Sequence, residues 1–504
     1  MARRAGAINL GLGAAVAALC LLPLWAVARA AVGPGALSAA DWQAIRFTIW
    51  QAFLSAVFSV GLAIPVARAL ARRSFPGRGL LISLLGAPFL LPVLVAVLGI
   101  LTIFGRGGLL NSGLAALGLP PFSIYGLHGV VLAHVFFNLP LAVRLILQGW
   151  QSIPAERVRL ARSLRAPQFR VLEWPMLREV VPGALVLIFL VCLTSFAVAI
   201  TLGGGPRATT LELAIYQAVL FDFDLARAAR LALVQYGLCA VAAGLAGLIT
   251  RPASFGAGLG RSIALGGGSR LFDGVAIGLM AVFLLLPLGA VLVRGAMGLG
   301  SLPATVWASA LVSVTVALGA VAMVLAIAVP MALLGGRIGR GLALAVPLAS
   351  SSLVLGAGAF LLLRGTVRPQ DAALGVTMVA NTLMALPFAL RILSPAADQA
   401  RADYDRLAAA LRLPILARLW IVYLPRMRRQ IGFAAGLTAA MAMGDLGAIV
   451  FFAAEGQATL PLLMQRLLGA YRTEAAAGVG LVLVILSFGL FWLFDQWGRG
   501  NAAT

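Results

Sequence analysis

Twelve apolar runs, separated by short polar loops, limit what this chain can become. They fall near 8–31, 47–71, 79–104, 126–149, 180–202, 228–250, 271–294, 306–334, 341–363, 372–394, 431–453 and 475–497. A helix of about 20 apolar residues spans a bilayer: its length matches the hydrocarbon core, and it satisfies its own backbone polar groups. Most of these runs are apolar all round rather than striped, unlike the helices of a soluble core. The expected class is an all-α integral membrane protein with about twelve transmembrane helices. The first run follows Arg3 and Arg4 and reaches "ARA" (28–30). It is longer than the apolar core of a signal peptide and reads as a retained helix.

Charge narrows the function classes. Only 11% of the 504 residues are charged, and all 38 basic residues are arginine, for a net charge of +22. A chain without lysine holds no Walker A loop, because that loop needs its lysine on the nucleotide phosphates. The clusters Gly203–Gly205 and Gly266–Gly268 therefore read as loop glycines, and any ATP that drives this protein binds another subunit. Cys20, Cys192 and Cys239 each lie inside an apolar run, giving neither a disulfide framework nor metal spacing. His128 and His134, six apart, fall on different helix faces. The arginines occupy short loops between spans, so their charge reads as topology, not as a nucleic-acid surface. With the N-terminus in the cytoplasm, 27 arginines fall inside and 11 outside. The positive-inside rule then favours cytoplasmic N- and C-termini.

The chain repeats itself. "LPLAVRLIL" (139–147) matches "LPFALRIL" (386–393), and "RLARSLR" (159–165) matches "RLAAALR" (406–412), both at an offset of 247. "ATTLELAIYQ" (208–217) echoes "ATLPLLMQ" (458–465), and "GLAIPVARAL" (61–70) more loosely echoes "LAIAVPMALL" (325–334). The expected organisation is a first repeat over 1–250, a glycine-rich cytoplasmic linker over 251–270 and a second repeat over 271–504. Six spans in each make this a 6+6 parallel repeat, related by an axis along the membrane normal.

Each repeat carries one polar island, within the loops 150–178 and 395–429. "RVRLARSLRAPQFRVLEWP" (157–175) places Leu160 and Leu164 one turn apart, flanked by Val158 and Ala161 and covered by arginines. "YDRLAAALRLPILARLWIVYLP" (404–425) places Tyr404, Leu407 and Leu411 on one side with Ala408 beside them. Both read as short amphipathic helices outside the bilayer core, each followed by a proline, Pro175 or Pro425, where the chain turns back. One such helix is explained by anionic lipid at the interface. Two, at matching places, suit a twofold partner that accepts a helix in a groove.

The islands also resemble the cytoplasmic signature of permease subunits of ABC importers, a Glu-Ala-Ala stretch with a later glycine and Leu-Pro. Arg159, Leu160, Ala161, Leu164, Arg165 and Trp174-Pro175 fall on it, as do Arg406, Leu407, Ala408, Leu411, Arg412 and Leu424-Pro425. Arginine stands where the family has glutamate, leucine where it has the first alanine, and arginine where it has glycine. The first copy is shorter by three residues. Over nearly the whole chain, "IWQAFLSAVFSV" (49–60), "LPVLVAVLGIL" (91–101), "YGLHGVVLAHVFFNLPLAVRL" (125–145), "LGGGPRATTLELAIYQAV" (202–219) and "DFDLARAARLALVQ" (222–235) resemble the thiamine ABC importer permease family. That resemblance implies a type I ABC importer permease fusing two halves in one chain, in the inner membrane of a bacterium. It implies no cofactor in this chain, with ATP and Mg²⁺ held by two copies of an ABC ATPase subunit. It also implies a periplasmic thiamine-binding protein as partner and thiamine or its phosphates as cargo. Ferric-iron permeases share the fused layout. A proton-coupled secondary transporter with a 6+6 repeat is the other reading, set against by the long, patterned loops 4–5 and 10–11.

Four polar residues inside spans are candidates for the translocation path. Asp445, in "MAMGDLGAIV", is a carboxylate in a membrane span, where charge is costly and faces a partner or a pathway. Ser195 is its counterpart at an offset of 250. His134 and Asn381 are equivalent at 247 and read either as path residues near the repeat axis or as interhelical hydrogen-bonding groups. The outer loops 203–227 and 454–474 carry Glu212, Asp222, Asp224, Glu455 and Glu474, as solvated charge or as a seat for a binding protein.

Overall fold

The computed structural model describes residues 2–31, 36–203, 205–249, 269–414, 417–452 and 456–500. Among them the regular structure is all helical, as the apolar runs require. Among the described residues, eleven helical stretches are long and apolar enough to cross a membrane. A twelfth arises if Arg337–Leu348 and Ser352–Leu363, bent by 91°, count as one span.

The first repeat contains α1 (Ala2–Ala30), α2 (Ala39–Arg72), α3 (Arg78–Leu84), α4 (Val93–Phe104), α5 (Leu127–Gln151), α6 (Ala155–Ser163), α7 (Trp174–Leu193), α8 (Phe196–Leu202), α9 (Leu211–Leu220) and α10 (Leu225–Ile249). The second contains α11 (Arg270–Gly298), α12 (Val306–Leu334), α13 (Arg337–Leu348), α14 (Ser352–Leu363), α15 (Pro369–Ala410), α16 (Leu424–Gly444), α17 (Leu460–Gly469) and α18 (Thr473–Arg499). Linker residues 251–268 lie outside the described residues. Ser269 caps α11 by accepting from the Phe272 N–H at 3.4 Å.

Matching side chains recur in matching places. The Leu211 N–H, opening α9, donates to Thr48 on α2 at 2.8 Å. The Leu460 N–H, opening α17, donates to Ser313 on α12 at the same distance. In both cases a hydroxyl on the second span takes one of the N–H groups that a helix start leaves unpaired.

Spans three and nine, read from sequence as continuous, are broken. The third begins as α3 and resumes at α4, after Pro92, whose ring blocks the preceding turn. The ninth bends at Ser350–Ser351, where the Ser351 hydroxyl accepts from the Val354 N–H at 3.1 Å and starts α14. Polar or proline residues at the bends do what apolar runs cannot disclose: they stop a helix inside the apolar zone.

The repeats are interlocked. α1 packs on α13 and α14 of the second repeat, and α11 packs on α4 and α2 of the first. Each exchanged helix brings a proline turn against a glycine. A Cβ on Gly358 would stand 2.5 Å from the Pro23 carbonyl oxygen, and one on Gly99 would stand 2.6 Å from that of Pro287. Only a bare Cα allows that approach, which is how helices associate where lipid removes the hydrophobic drive between them.

The island helices end in one kind of turn. Arg165 (φ 47°) and Arg412 (φ 49°) adopt the left-handed conformation. Ala166 N–H closes on the Ala161 carbonyl at 2.9 Å, and Leu413 N–H on that of Ala408 at 3.0 Å. This is the helix-ending motif that prefers glycine, which explains why the resembling family has glycine at the positions held here by Arg165 and Arg412.

Two predictions follow from these geometries. Gly99→Val and Gly358→Val each place atoms inside a neighbouring backbone and lower stability by about 1–3 kcal/mol, read as a reduced thermal midpoint in detergent. Arg165→Gly and Arg412→Gly hold or raise that midpoint, whereas Arg165→Val and Arg412→Val, β-branched in a left-handed turn, lower it by about 1–2 kcal/mol.

Candidate coupling surface and membrane breaks

The two islands leave the spans through different joints. α5 stops at Gln151, and Pro154 precedes α6. Proline disfavours helical backbone at the residue before it, here Ile153. α15 instead runs through Pro395 to Ala410, so the second island helix is its last turns. The exposed faces agree nonetheless. Leu160 and Leu164 are 59% and 69% exposed, and Leu407 and Leu411 are 56% and 62%. Ala161 and Ala408 are buried, as is Val158. Sequence reading gathers Val158, Leu160, Ala161 and Leu164 into one patch. At 100° per residue Val158 and Ala161 share one side, which faces the protein, and Leu160 and Leu164 share the other. Arg159, Arg165, Arg406 and Arg412 surround the outward leucines as exposed residues. Arg159 reaches Glu156 at 3.0 Å with both side chains 75% exposed, a pair of little energetic weight.

Behind each island the returning limb is pinned, by chemistry that sequence reasoning missed. In the first repeat Glu173, 1% exposed, accepts from Arg68 Nε at 2.5 Å and Nη2 at 2.9 Å, with Arg72 at 3.6 Å. This two-pronged contact ties the limb to α2. In the second repeat the residue at the same point, Tyr423, donates to Asp405 at 2.5 Å. Asp405 lies 3.8 Å from Arg401, which also reaches Asp398, and Asp398 accepts from Arg340 Nη1 at 3.1 Å. The only sequence signal was position: Glu173 and Tyr423 directly precede Trp174-Pro175 and Leu424-Pro425.

Inside the membrane zone, span five of each repeat is interrupted. α7 ends at Leu193, and Ser195 precedes α8 without capping it through its hydroxyl. The Cys192 carbonyl accepts from Gln51 on α2 at 3.0 Å, and the Leu193 carbonyl from Gln235 on α10 at 2.8 Å. At the corresponding break α16 ends at Gly444, and Asp445 follows in extended backbone. There Asp445 accepts from Ser352 Oγ at 2.8 Å and from the Gly447 N–H at 3.3 Å, and Ser352 Oγ accepts from the Ala448 N–H at 3.2 Å. Neutral glutamines serve one break and a carboxylate with a serine serves the other, so the repeats differ where the path would run.

His134 is buried on α5 with Nδ1 3.3 Å from Ser55 Oγ on α2. Asn381 is buried on α15, which packs on α12, α14 and α16. The structure does not pair either with Asp445 or Ser195. Glu212, placed by sequence on an outer loop, is 1% exposed in the first turn of α9. Glu455 lies outside the described residues. Among the described residues no group of three or more His, Cys, Asp or Glu side chains could hold a metal ion.

Comparison with known proteins gives the family. No family model matches the chain. The thiamine transport system permease protein ThiP of Brucella abortus (strain 2308) is 39% identical over 522 aligned positions, covering 98% of this chain and 94% of the relative. ThiP of Salmonella typhimurium (strain LT2) is 40% identical over 491 positions, covering 92% and 90%. ThiP of Escherichia coli (strain K12) is 39% identical with the same coverage. At that identity over both full-length repeats, this chain belongs to the family of thiamine transport system permease proteins.

Proposed function

We propose that this chain is the inner-membrane permease of an ATP-driven, binding-protein-dependent importer of thiamine and its phosphates. The observation that carries the transport mechanism is the pair of matched island faces, each with two outward leucines one turn apart. In this reading both termini and both islands are cytoplasmic, in line with the arginine bias. Two copies of an ABC ATPase subunit, which bind ATP and Mg²⁺, receive Leu160 and Leu164 in one groove and Leu407 and Leu411 in the other. Arg159, Leu160, Ala161, Leu164 and Arg165, with Arg406, Leu407, Ala408, Leu411 and Arg412, form the coupling contacts. A periplasmic thiamine-binding protein delivers cargo from the other side. Asp445 and Ser195 line the path at the two breaks, and His134 and Asn381 hold the helices beside it.

ATP binding draws the ATPases together, and each island moves with its subunit. The pinned limbs pass that displacement on: Glu173 to α2 through Arg68 and Arg72, Tyr423 to the end of α15 through Asp405. The helices that follow, α7 and α16, end at the central breaks, so the motion arrives where the helices are interrupted. The relatives are named for thiamine transport, which favours thiamine over ferric iron.

The test is uptake of labelled thiamine at nanomolar concentration by a deletion strain, complemented with wild type or with Leu160→Asp plus Leu407→Asp. Wild type restores uptake that stops on ATP depletion and tolerates an uncoupler, and the double variant lowers it at least about tenfold. Unchanged uptake on deletion, in a strain without another thiamine importer, contradicts the substrate. Loss to the uncoupler alone contradicts ATP coupling.

A further inference from the structure

Two carboxylates from opposite repeats lie on elements joined through α14: Glu212 on α9, which packs on α14, and Asp445 at the break that Ser352 of α14 reaches. Glu212, in the first turn of α9, is 1% exposed, and its Oε1 accepts no hydrogen bond. Asp445 follows the end of α16. Ser352, at the bend of span nine, donates to Asp445 at 2.8 Å, and Ser351 beside it starts α14, which packs on the helix α9 that carries Glu212. Among the described residues no ion pair includes either carboxylate. Like charges removed from water are costly unless a cation or proton compensates them.

Aromatic rings complete the cluster. Tyr216 lies one turn after Glu212 on α9, its ring centroid 5.2 Å from Phe196 and 6.5 Å from Phe451. Phe196 opens α8 just past the break at Ser195, and Phe451 ends the short turn just past the break at Asp445. Both interruptions of span five therefore deliver a ring to Tyr216. A carboxylate one turn from a tyrosine on which two further rings converge is the chemistry that holds an organic cation.

We propose that Glu212 and Asp445, with the rings of Tyr216, Phe196 and Phe451, form the point in the path that recognises a cationic aromatic ring, such as the thiazolium of thiamine. This rests on the thiamine reading above. It assigns Glu212, which the sequence placed on an outer loop, to the path. The central contact is then asymmetric, one carboxylate from each repeat at places that are not equivalent.

The test separates charge from shape. Glu212→Gln and Asp445→Asn keep size and remove charge, whereas Glu212→Asp and Asp445→Glu keep charge and change size. Thiamine uptake is expected to fall at least about tenfold in each neutral variant and to stay within about threefold of wild type in each charge-keeping one. The reverse order, with neutral variants active, overturns the proposal in favour of a hydrogen-bonding role. A second measurement needs no transport. Thiamine chloride at millimolar concentration, against sodium chloride at equal ionic strength, raises the thermal midpoint of the purified permease but not that of the Glu212→Gln/Asp445→Asn double variant. Equal shifts in both proteins, or none in wild type, overturn the pair. A wild type that shifts with thiamine but does not import it overturns the transport reading and leaves the cation site standing.

Discussion

A helix that stops inside a bilayer exposes carbonyl and N–H groups that lipid cannot satisfy, and the rest of this structure depends on how those groups are matched. Each such group costs several kcal/mol when left bare. At the first-repeat break Gln51 and Gln235 reach in from α2 and α10. At the second, Asp445 and Ser352 do the work. Breaks held this way are points where α7 and α16 can reorient while their outer turns remain helical, which a transport path requires.

Interlocking makes those breaks cooperate. α1 packs on α13 and α14 of the second repeat as well as on α10 of its own, and α11 packs on α4 and α2 of the first as well as on α18 of its own, so each repeat holds a helix of the other. The Pro23–Gly358 and Pro287–Gly99 approaches are the tight points of that exchange. On the island side the fastening differs between repeats, through a buried glutamate and two arginines in one and a tyrosine and an aspartate in the other. The outward leucines are nevertheless the same in number, spacing and exposure. Symmetry is kept where two identical subunits would bind and lost where a single asymmetric ligand would pass.

Much of this was legible in the sequence, for a physical reason in each case. Spans announce themselves because lipid demands long apolar runs, and the repeat is visible because "RLARSLR" and "RLAAALR" kept their spacing. The outward leucines could be picked out because i, i+4 spacing survives in both islands. Hidden features depend on contacts between residues far apart in the chain. Glu212 reads as loop charge until the first turn of α9 buries it, and Glu173 reads as a loop residue until Arg68 and Arg72, over a hundred positions earlier, close on it. The bend of span nine was invisible because Ser350–Ser352 barely lowers the mean hydropathy of its run. The exchange of α1 and α11 leaves no periodicity at all.

The most direct measurement uses the cysteines. Cys20, Cys192 and Cys239 are all buried, so a cysteine placed at an island leucine is the accessible thiol among the described residues. Leu160→Cys and Leu407→Cys, singly and together, are cross-linked to the partner ATPase in native membranes, and the ATPase captured per permease is counted. Matched docking faces predict one ATPase for each single variant and two for the pair. Capture at only one site, or at neither while the complex still hydrolyses ATP, contradicts them.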